Sequence, residues 1–498
     1  MTIPTTYAAD VAIVGAGVSG MLVARECLRR GRSVVVLERG GWVAHDEQLR
    51  TRRYERDVEG ARHNHEIAEG SPDYPWSYVY GVGGSSLHWT GHTPRLVADD
   101  FRMRTRHGVM DDWPLGLDDL EPYYERAEAA LAVAGAPTPR HGGEGGQPAH
   151  PLSPMDRVAA PLLAPYAALP SARPSRPTGA RPACCGSATC DLCPVDSRFS
   201  VLNGLGDVLE SDGLQLRTAT VATRLRMDGR RVRWLEALDV GNDPVRVEAG
   251  TYVLAASGFE NPALLLRSGL DRDATGRYLY DHAHRTIWVT VRREVGAGRG
   301  ASIVTGHTTA FRQGAFRAQR SAAIALLYNP GIPVGELVTA ELAAGRGGRR
   351  MRERVAGRWA RTLPFDVLLE DVPRPERRVT LSPMRDGFGL PRVRVAYAAT
   401  GPYEEEGYRA VRDAIVRRLG PLGVEAVEEP PAPAGAHLLG TCRMGRGDAA
   451  VVDPDLRHLD APDVLVVGGS AMPTYSPSHP TLTIAALAIR AGEHIAGG

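Results

Sequence analysis

The chain reads as an α/β protein, a Rossmann-like dinucleotide-binding domain interrupted by a second domain built on an antiparallel sheet. Three observations predict this. A strand–glycine–helix–strand–acid series opens the chain, DVAIVGAGVSGMLVARECLRRGRSVVVLERG over residues 10–40. Two more short apolar runs, Thr251–Gly258 and Val464–Gly469, read as late strands of the same sheet. Between them, residues 285–430 carry alternating segments such as Thr286–Val291 and Arg378–Leu381. The expected dinucleotide domain is discontinuous, over 1–100, 195–285 and 431–498. The substrate domain and its excursions take 101–194 and 286–430.

Asp10–Val14 is the first buried strand, and Ser33–Leu37 the second, ending at Glu38. Gly15 allows the tight turn after the first strand. Gly17 lets the backbone approach a pyrophosphate, and Gly20 lets the helix pack closely on the sheet. The helix N-terminus then faces the phosphates. Glu38, 23 residues after Gly15, is placed to accept both ribose hydroxyls of an adenosine. A tight turn without a ligand is the bland alternative. Residues 136–183, rich in Pro, Ala and Gly, read as a surface excursion.

Composition narrows the partners. At 498 residues the chain can bury a large core, and a net charge of +1 argues against nucleic acid or anionic membrane. All 59 basic residues are Arg, which points to a GC-rich genome. No basic and apolar leader opens the chain, and no apolar run nears the ~20 residues of a membrane span. A cytoplasmic protein is expected. Four of the six cysteines, Cys184, Cys185, Cys190 and Cys193, fall within ten residues. That spacing suits an iron–sulfur cluster or zinc, with reduced thiols as the third reading. Cys27 is expected to pack in the first helix, and nothing marks Cys442 as a nucleophile.

Two further segments carry chemistry. Gly81–Arg95, GVGGSSLHWTGHTPR, has glycines and serines able to bring backbone N–H groups to a cofactor. His88 within it is a covalent cofactor link, a hydrogen-bond partner or a packed residue. Near the C-terminus, His437 and His479 each sit among small residues. An imidazole of near-neutral pKa is suited to removing a hydroxyl proton.

These segments together resemble the glucose–methanol–choline (GMC) oxidoreductases. The match runs through the glycines at 15–20, GGSSLHW at 83–89, AASGFENPALLLRSG at 255–269, and HLLGTCRMG with PSHPTLTIAALA at the C-terminus. The branch the chain resembles is that of the bacterial FAD-dependent sugar dehydrogenases and pyranose oxidases, with Asp112–Gly135 and Arg181–Pro194 most similar to the sugar dehydrogenases. The resemblance implies FAD as cofactor, with Gly15, Gly17, Gly20, Glu38, Gly84, Ser85, His88, Val221, Ala256, Gly469, Ser470, Pro480 and Thr481 around it. It implies His437 as base and His479 as its positioning partner in hydride transfer from an alcohol. It also implies a 3Fe–4S cluster on cysteines spaced like Cys184, Cys185 and Cys190, passing electrons to an acceptor or redox partner protein. Gly468 departs from the pattern, since many relatives have Asp there. Glu370 and Asp371, on a strand expected to face the cofactor, are candidates for binding sugar hydroxyls or amino groups, or else a solvated pair. Tyr280-Asp281-His282 resembles a family loop near the flavin edge whose polar groups are structural.

The expected activity is FAD-dependent oxidation of a hydroxyl on a sugar-like or amino-sugar substrate, as in aminoglycoside-type natural-product assembly. The rivals are an oxidase that reduces O2 to H2O2, and a lyase on the same fold. An NAD-dependent enzyme fits the N-terminus alone.

Overall fold

The computed structural model describes residues 4–51, 65–69, 71, 76–137, 146–188, 192–398, 400–431, 435, 437–474 and 476–497. The first strand, Thr5–Val14, is buried only over its last four residues, where it meets parallel neighbours on both sides. Val14 registers with Leu37 of Val34–Leu37 and with Leu254 of Pro244–Leu254. Val466 of Ala461–Val466 registers with Leu254 in turn. The carboxyl ends of these four strands therefore share one edge, the place where such sheets bind ligands. Leu214–Arg217 extends the sheet beyond Val34–Leu37, and Arg457–His458 adds an antiparallel edge. The hairpin Thr220–Asp228/Arg231–Asp239 joins Pro244–Leu254.

Helix Val18–Leu28 packs on this sheet, Thr481–Gly497 packs on that helix, and Leu117–Leu131 packs on Thr481–Gly497. Gly492 makes the contact close, since a Cβ there would fall 2.7 Å from Glu26 Cβ. Arg126 spans all three helices, with one guanidinium nitrogen 2.5 Å from Glu26 and the other 2.5 Å from Glu493.

The second sheet is antiparallel throughout, in the order Val424–Glu428, Ala283–Val291, Thr362–Leu369, Ala323–Leu327, Gly306–Thr308, Tyr166–Ala168. Its odd-numbered side chains, among them Ile287, Val289, Phe365 and Val367, pack with Val411 and Ile415 of helix Pro402–Arg418. Period-two alternation turns His284, Leu326 and Leu368 to the other face, and His307 joins them opposite Leu326.

Two expectations need correcting. Residues 136–183 are not merely a surface excursion. Tyr166–Ala168 is the edge strand of the second sheet, and Met155, Ala159 and Leu163 lie in its core. Proline-rich sequence masks this because an edge strand tolerates missing donors. Arg378–Arg385 belongs to a separate three-stranded sheet with Pro391–Ala396 and His65–Ile67. Among the described residues, no helix is long and apolar enough to cross a membrane.

Candidate active site

A cleft of about 1390 Å³ runs along the carboxyl ends of the parallel strands. Gly15, Gly17, Glu38, Gly84, Ser85, Val221, Ala256, Gly469, Pro480 and Thr481 all line it, as does His437. Gly15 has φ +105°, and a Cβ on it would lie 2.6 Å from the Ala255 carbonyl oxygen. A Cβ on Gly17, by contrast, would meet nothing within 4 Å. Gly17 also caps helix Val18–Leu28 without a side-chain hydrogen bond, and no acidic residue stands in the first turn. The helix thus offers bare N–H groups and its positive end to the cleft. This cradle fits the pyrophosphate of FAD.

Glu38 is held by three backbone donors. Its Oε2 accepts from Ala16 N–H at 2.9 Å, and its Oε1 from Gly40 and Gly81 N–H at 2.8 and 3.0 Å. Burial raises its pKa against the pull of those donors. The carboxylate therefore clamps the two loops that flank the cleft, and it lines the cleft itself. Arg39 beside it is fixed 2.8 Å from Asp386 and 4.7 Å over the Tyr80 ring. Gly468 lies on the wall at φ +93°, ψ −168°, a conformation open to glycine and costly for Asp.

Three of the expected cofactor residues do not line the cleft. Gly20 faces inward, where a Cβ would lie 2.1 Å from the Gly15 carbonyl oxygen; its role is packing. Ser470 is buried behind the wall, with its Oγ accepting from Asn261 at 2.8 Å. His88 follows the 3₁₀ turn Gly84–Leu87, is not among the residues lining the cleft, and feels the charge of Arg198. Burial, then Arg198, lowers its pKa to about 4.

Glu370 and Asp371 are neither solvated nor facing a substrate. Both are fully buried. Glu370 Oε2 lies 2.5 Å from Arg317, which also holds Asp100 at 2.9 Å, and Tyr403 donates to Glu370 Oε1 at 2.6 Å. Asp371 pairs with Arg377, and Tyr397 donates to it at 3.2 Å. The chain leaves strand Thr362–Leu369 here and turns into the protein, so both charges require buried partners.

Three of the four clustered cysteines, Cys184, Cys185 and Cys193, lie among the described residues. Cys184 Sγ contacts the Ala301 carbonyl, and Cys185 is exposed. Cys193 is buried, accepts from Ser197 N–H at 3.2 Å, and shares a small cavity with His45 and Asp196. Cys190 lies outside the described residues. Among the described residues, no group of three or more His, Cys, Asp or Glu side chains is arranged to hold a metal. Cys27 and Cys442 are buried.

The structure brings four histidines together, two of them expected. The His437 and His479 ring centroids are 6.0 Å apart. His282 stands edge-on to His437 at 4.8 Å, and His92 to His479 at 4.8 Å. Tyr280 and Leu439 exchange backbone hydrogen bonds at 3.2 Å, which sets Asp281 beside His437. Asp281 Oδ1 lies 3.3 Å from His437 Nδ1 and accepts His282 N–H at 2.6 Å. Gly440 permits this pairing, because a Cβ there would fall 2.2 Å from the Tyr278 carbonyl oxygen. Burial holds the pKa of His479 well below the ordinary value, helped by His92, His437, His282 and His284. Burial, then His437 and His284, does the same to His282. His92 is driven down to about 3 by burial, then by Arg173 and His307. His92, His282 and His479 are thus held as neutral imidazoles, able to accept and donate hydrogen bonds.

Sequence reasoning missed His92 and read Asp281 as structural. His92 stands in the same GGSSLHWTGHTPR segment as His88, four residues further on.

Comparison with known proteins agrees with this architecture. Residues 166–284 and 373–488 match the N- and C-terminal models of GMC oxidoreductase, and residues 10–50 match FAD dependent oxidoreductase. The chain is 28% identical to the fructose dehydrogenase large subunit of Gluconobacter japonicus, over 98% of each chain. It is 30% identical to the 6'''-hydroxyparomomycin C oxidase of Streptomyces lividus, over 98% of this chain and 91% of that one. The crystal structure of pyridoxine 4-oxidase from Mesorbium loti superimposes with a TM-score of 0.67 at 20% identity, covering 97% of this chain and 98% of that one. The glycine cradle, the cleft and the histidines at its end belong to an FAD-dependent alcohol or sugar oxidoreductase, and the chain is a member of the GMC oxidoreductase family.

Proposed function

We propose that this chain oxidises a hydroxyl group on a sugar-like or amino-sugar substrate to a carbonyl, with His437 as base and His479 as its partner. The observation that carries the reading is His437 on the cleft wall, with Asp281 at its Nδ1 and His479 across from it. A carboxylate at Nδ1 orients the ring and favours the tautomer whose Nε2 accepts a proton. The substrate O–H gives its proton to His437 as the carbinol C–H bond breaks and C=O forms. FAD, when bound, supplies the hydride acceptor for that carbinol hydrogen. The names of the relatives support the substrate class: one oxidises fructose, another a hydroxylated paromomycin.

No step here runs through an iron–sulfur cluster, and the acceptor that reoxidises the flavin is left to the assay below. The test is anaerobic mixing of the FAD-loaded protein with D-fructose and with 6'''-hydroxyparomomycin C. Bleaching of the flavin by either supports the reading; no bleaching by these or by other sugars and aminoglycosides opposes it. Iron and sulfide assayed on the same sample, with peroxide measured in air, decide the electron route.

A further inference from the structure

His92 is 2% exposed, with its Nδ1 3.4 Å from His479 Nε2 and 3.1 Å from Thr90 Oγ1. The backbone fixes its place. Gly91, at φ +80°, reverses the chain after Thr90. Thr93 N–H then donates to the Pro170 carbonyl at 2.9 Å, and Ala172 N–H to the Gly91 carbonyl at 2.7 Å, clipping His92 opposite Ser171. The far nitrogens, His92 Nε2 and His479 Nδ1, are buried and have no hydrogen-bond partner among the described residues.

Two neutral imidazoles that face each other must be complementary: one nitrogen donates and the other accepts. Thr90 decides which. If His92 Nδ1 carries the proton, one N–H is shared between two acceptors, Thr90 Oγ1 and His479 Nε2, a common three-centre arrangement. If His92 Nδ1 is bare, its single lone pair must serve two donors. The first arrangement satisfies all three atoms.

We propose that His92 is a positioning residue that sets the tautomer of His479: its Nδ1–H donates to His479 Nε2, so His479 keeps its proton on Nδ1 and presents that N–H to the reacting oxygen. The inference rests on the hydroxyl-oxidation reading above. It divides the histidines by tautomer. Asp281 beside Nδ1 makes Nε2 of His437 the acceptor, and His92 at Nε2 makes Nδ1 of His479 the donor. That donor gains strength as negative charge builds on the oxygen during proton transfer. Isolated neutral imidazole side chains prefer the proton on Nε2, so His479 needs such a partner.

Three variants test it in the FAD-loaded protein. Leu at 92 fills the space without a donor. Gln sets its amide nitrogen near the old Nε2 and leaves the Nδ1 position empty, while Asn sets its amide nitrogen near Nδ1. The first readout is ¹⁵N NMR of histidine-labelled protein; the second is anaerobic flavin reduction by D-fructose and 6'''-hydroxyparomomycin C. The expected result is His479 protonated on Nδ1 in the native protein and on Nε2 in H92L and H92Q. Flavin reduction slows about 10- to 100-fold in those two, with substrate affinity held, and H92N recovers most of the rate. Native tautomer and rate in H92L and H92Q overturn the proposal, as does an H92N enzyme as slow as H92L. If no substrate bleaches the native flavin, the hydroxyl-oxidation reading fails, while the NMR spectrum still decides the tautomer of His479.

Discussion

Asp281 Oδ1 lies 3.3 Å from His437 Nδ1, and it gets there through the pairing of Tyr280 with Leu439 across the fold. The contact joins a carboxylate that is 2% exposed to the one histidine of the cluster that lines the cleft. On the proposed roles, removing His437 should be more damaging than removing Asp281. H437A is expected to slow anaerobic flavin reduction by about 10²- to 10⁴-fold, the usual worth of a general base. D281N should slow it by about tenfold or more while FAD content stays native. Stopped-flow reduction of each holoenzyme checks both, and a D281N enzyme of native rate would remove Asp281 from the account.

The glycines of the cradle separate by role. Gly17 has extended backbone and open space at its Cβ, whereas a Cβ on Gly20 collides with the Gly15 carbonyl. G17A should therefore fold normally yet bind FAD more weakly, by about 2 kcal/mol or some 30-fold. G20A should lose stability in the apoprotein itself. Thermal unfolding with and without FAD, beside an FAD titration, distinguishes the two; equal apoprotein melting for both variants would contradict the assignment.

Buried neutral histidines link stability to pH. His92, with its pKa at about 3, and His88 and His307, at about 4, bind protons more weakly in the folded state than in the unfolded chain. For such lowered values the unfolded state takes up more protons as pH falls below ~6.5, so stability is full above that pH and declines toward the folded values. Each group adds a slope of up to about 1.4 kcal/mol per pH unit in that window. Calorimetry between pH 7 and 4 should show a falling melting temperature, less steep in H92N. A flat profile would refute the burial argument.

Glu370 should matter for stability and not for substrate. Its carboxylate and Arg317 are both fully buried, and breaking such a pair from one side costs about 3–5 kcal/mol. E370Q is expected to lose stability on that order, softened by the amide's remaining hydrogen bonds, with KM unchanged for any sugar the enzyme accepts. A raised KM with native stability would restore the substrate role.

What could be read from the sequence was whatever local sterics or a contiguous motif dictates. Gly15, Gly17 and Glu38 follow from the turn and its register, and His437 and His479 stand in uninterrupted motifs. What the sequence hid depends on partners brought from far away. Arg317 lies 53 residues from Glu370, so Glu370 looked like a ligand when it was half of an ion pair. His92 meets His479 across 387 residues, and only the clip to Ser171 gives it that position. Tyr166–Ala168 was hidden because proline-rich flanks suppress the alternation that marks a strand.

On the proposed reading, FAD held in the cleft would take the hydride of a sugar-like carbinol whose hydroxyl proton goes to His437. Anaerobic stopped-flow reduction of native and H437A holoenzyme by D-fructose and 6'''-hydroxyparomomycin C tests it most directly. Rapid bleaching of the native flavin by at least one of them is expected, with a loss of at least about 10²-fold in H437A at native FAD occupancy. A native flavin that no sugar or aminoglycoside bleaches, or an H437A enzyme as fast as native, would contradict it.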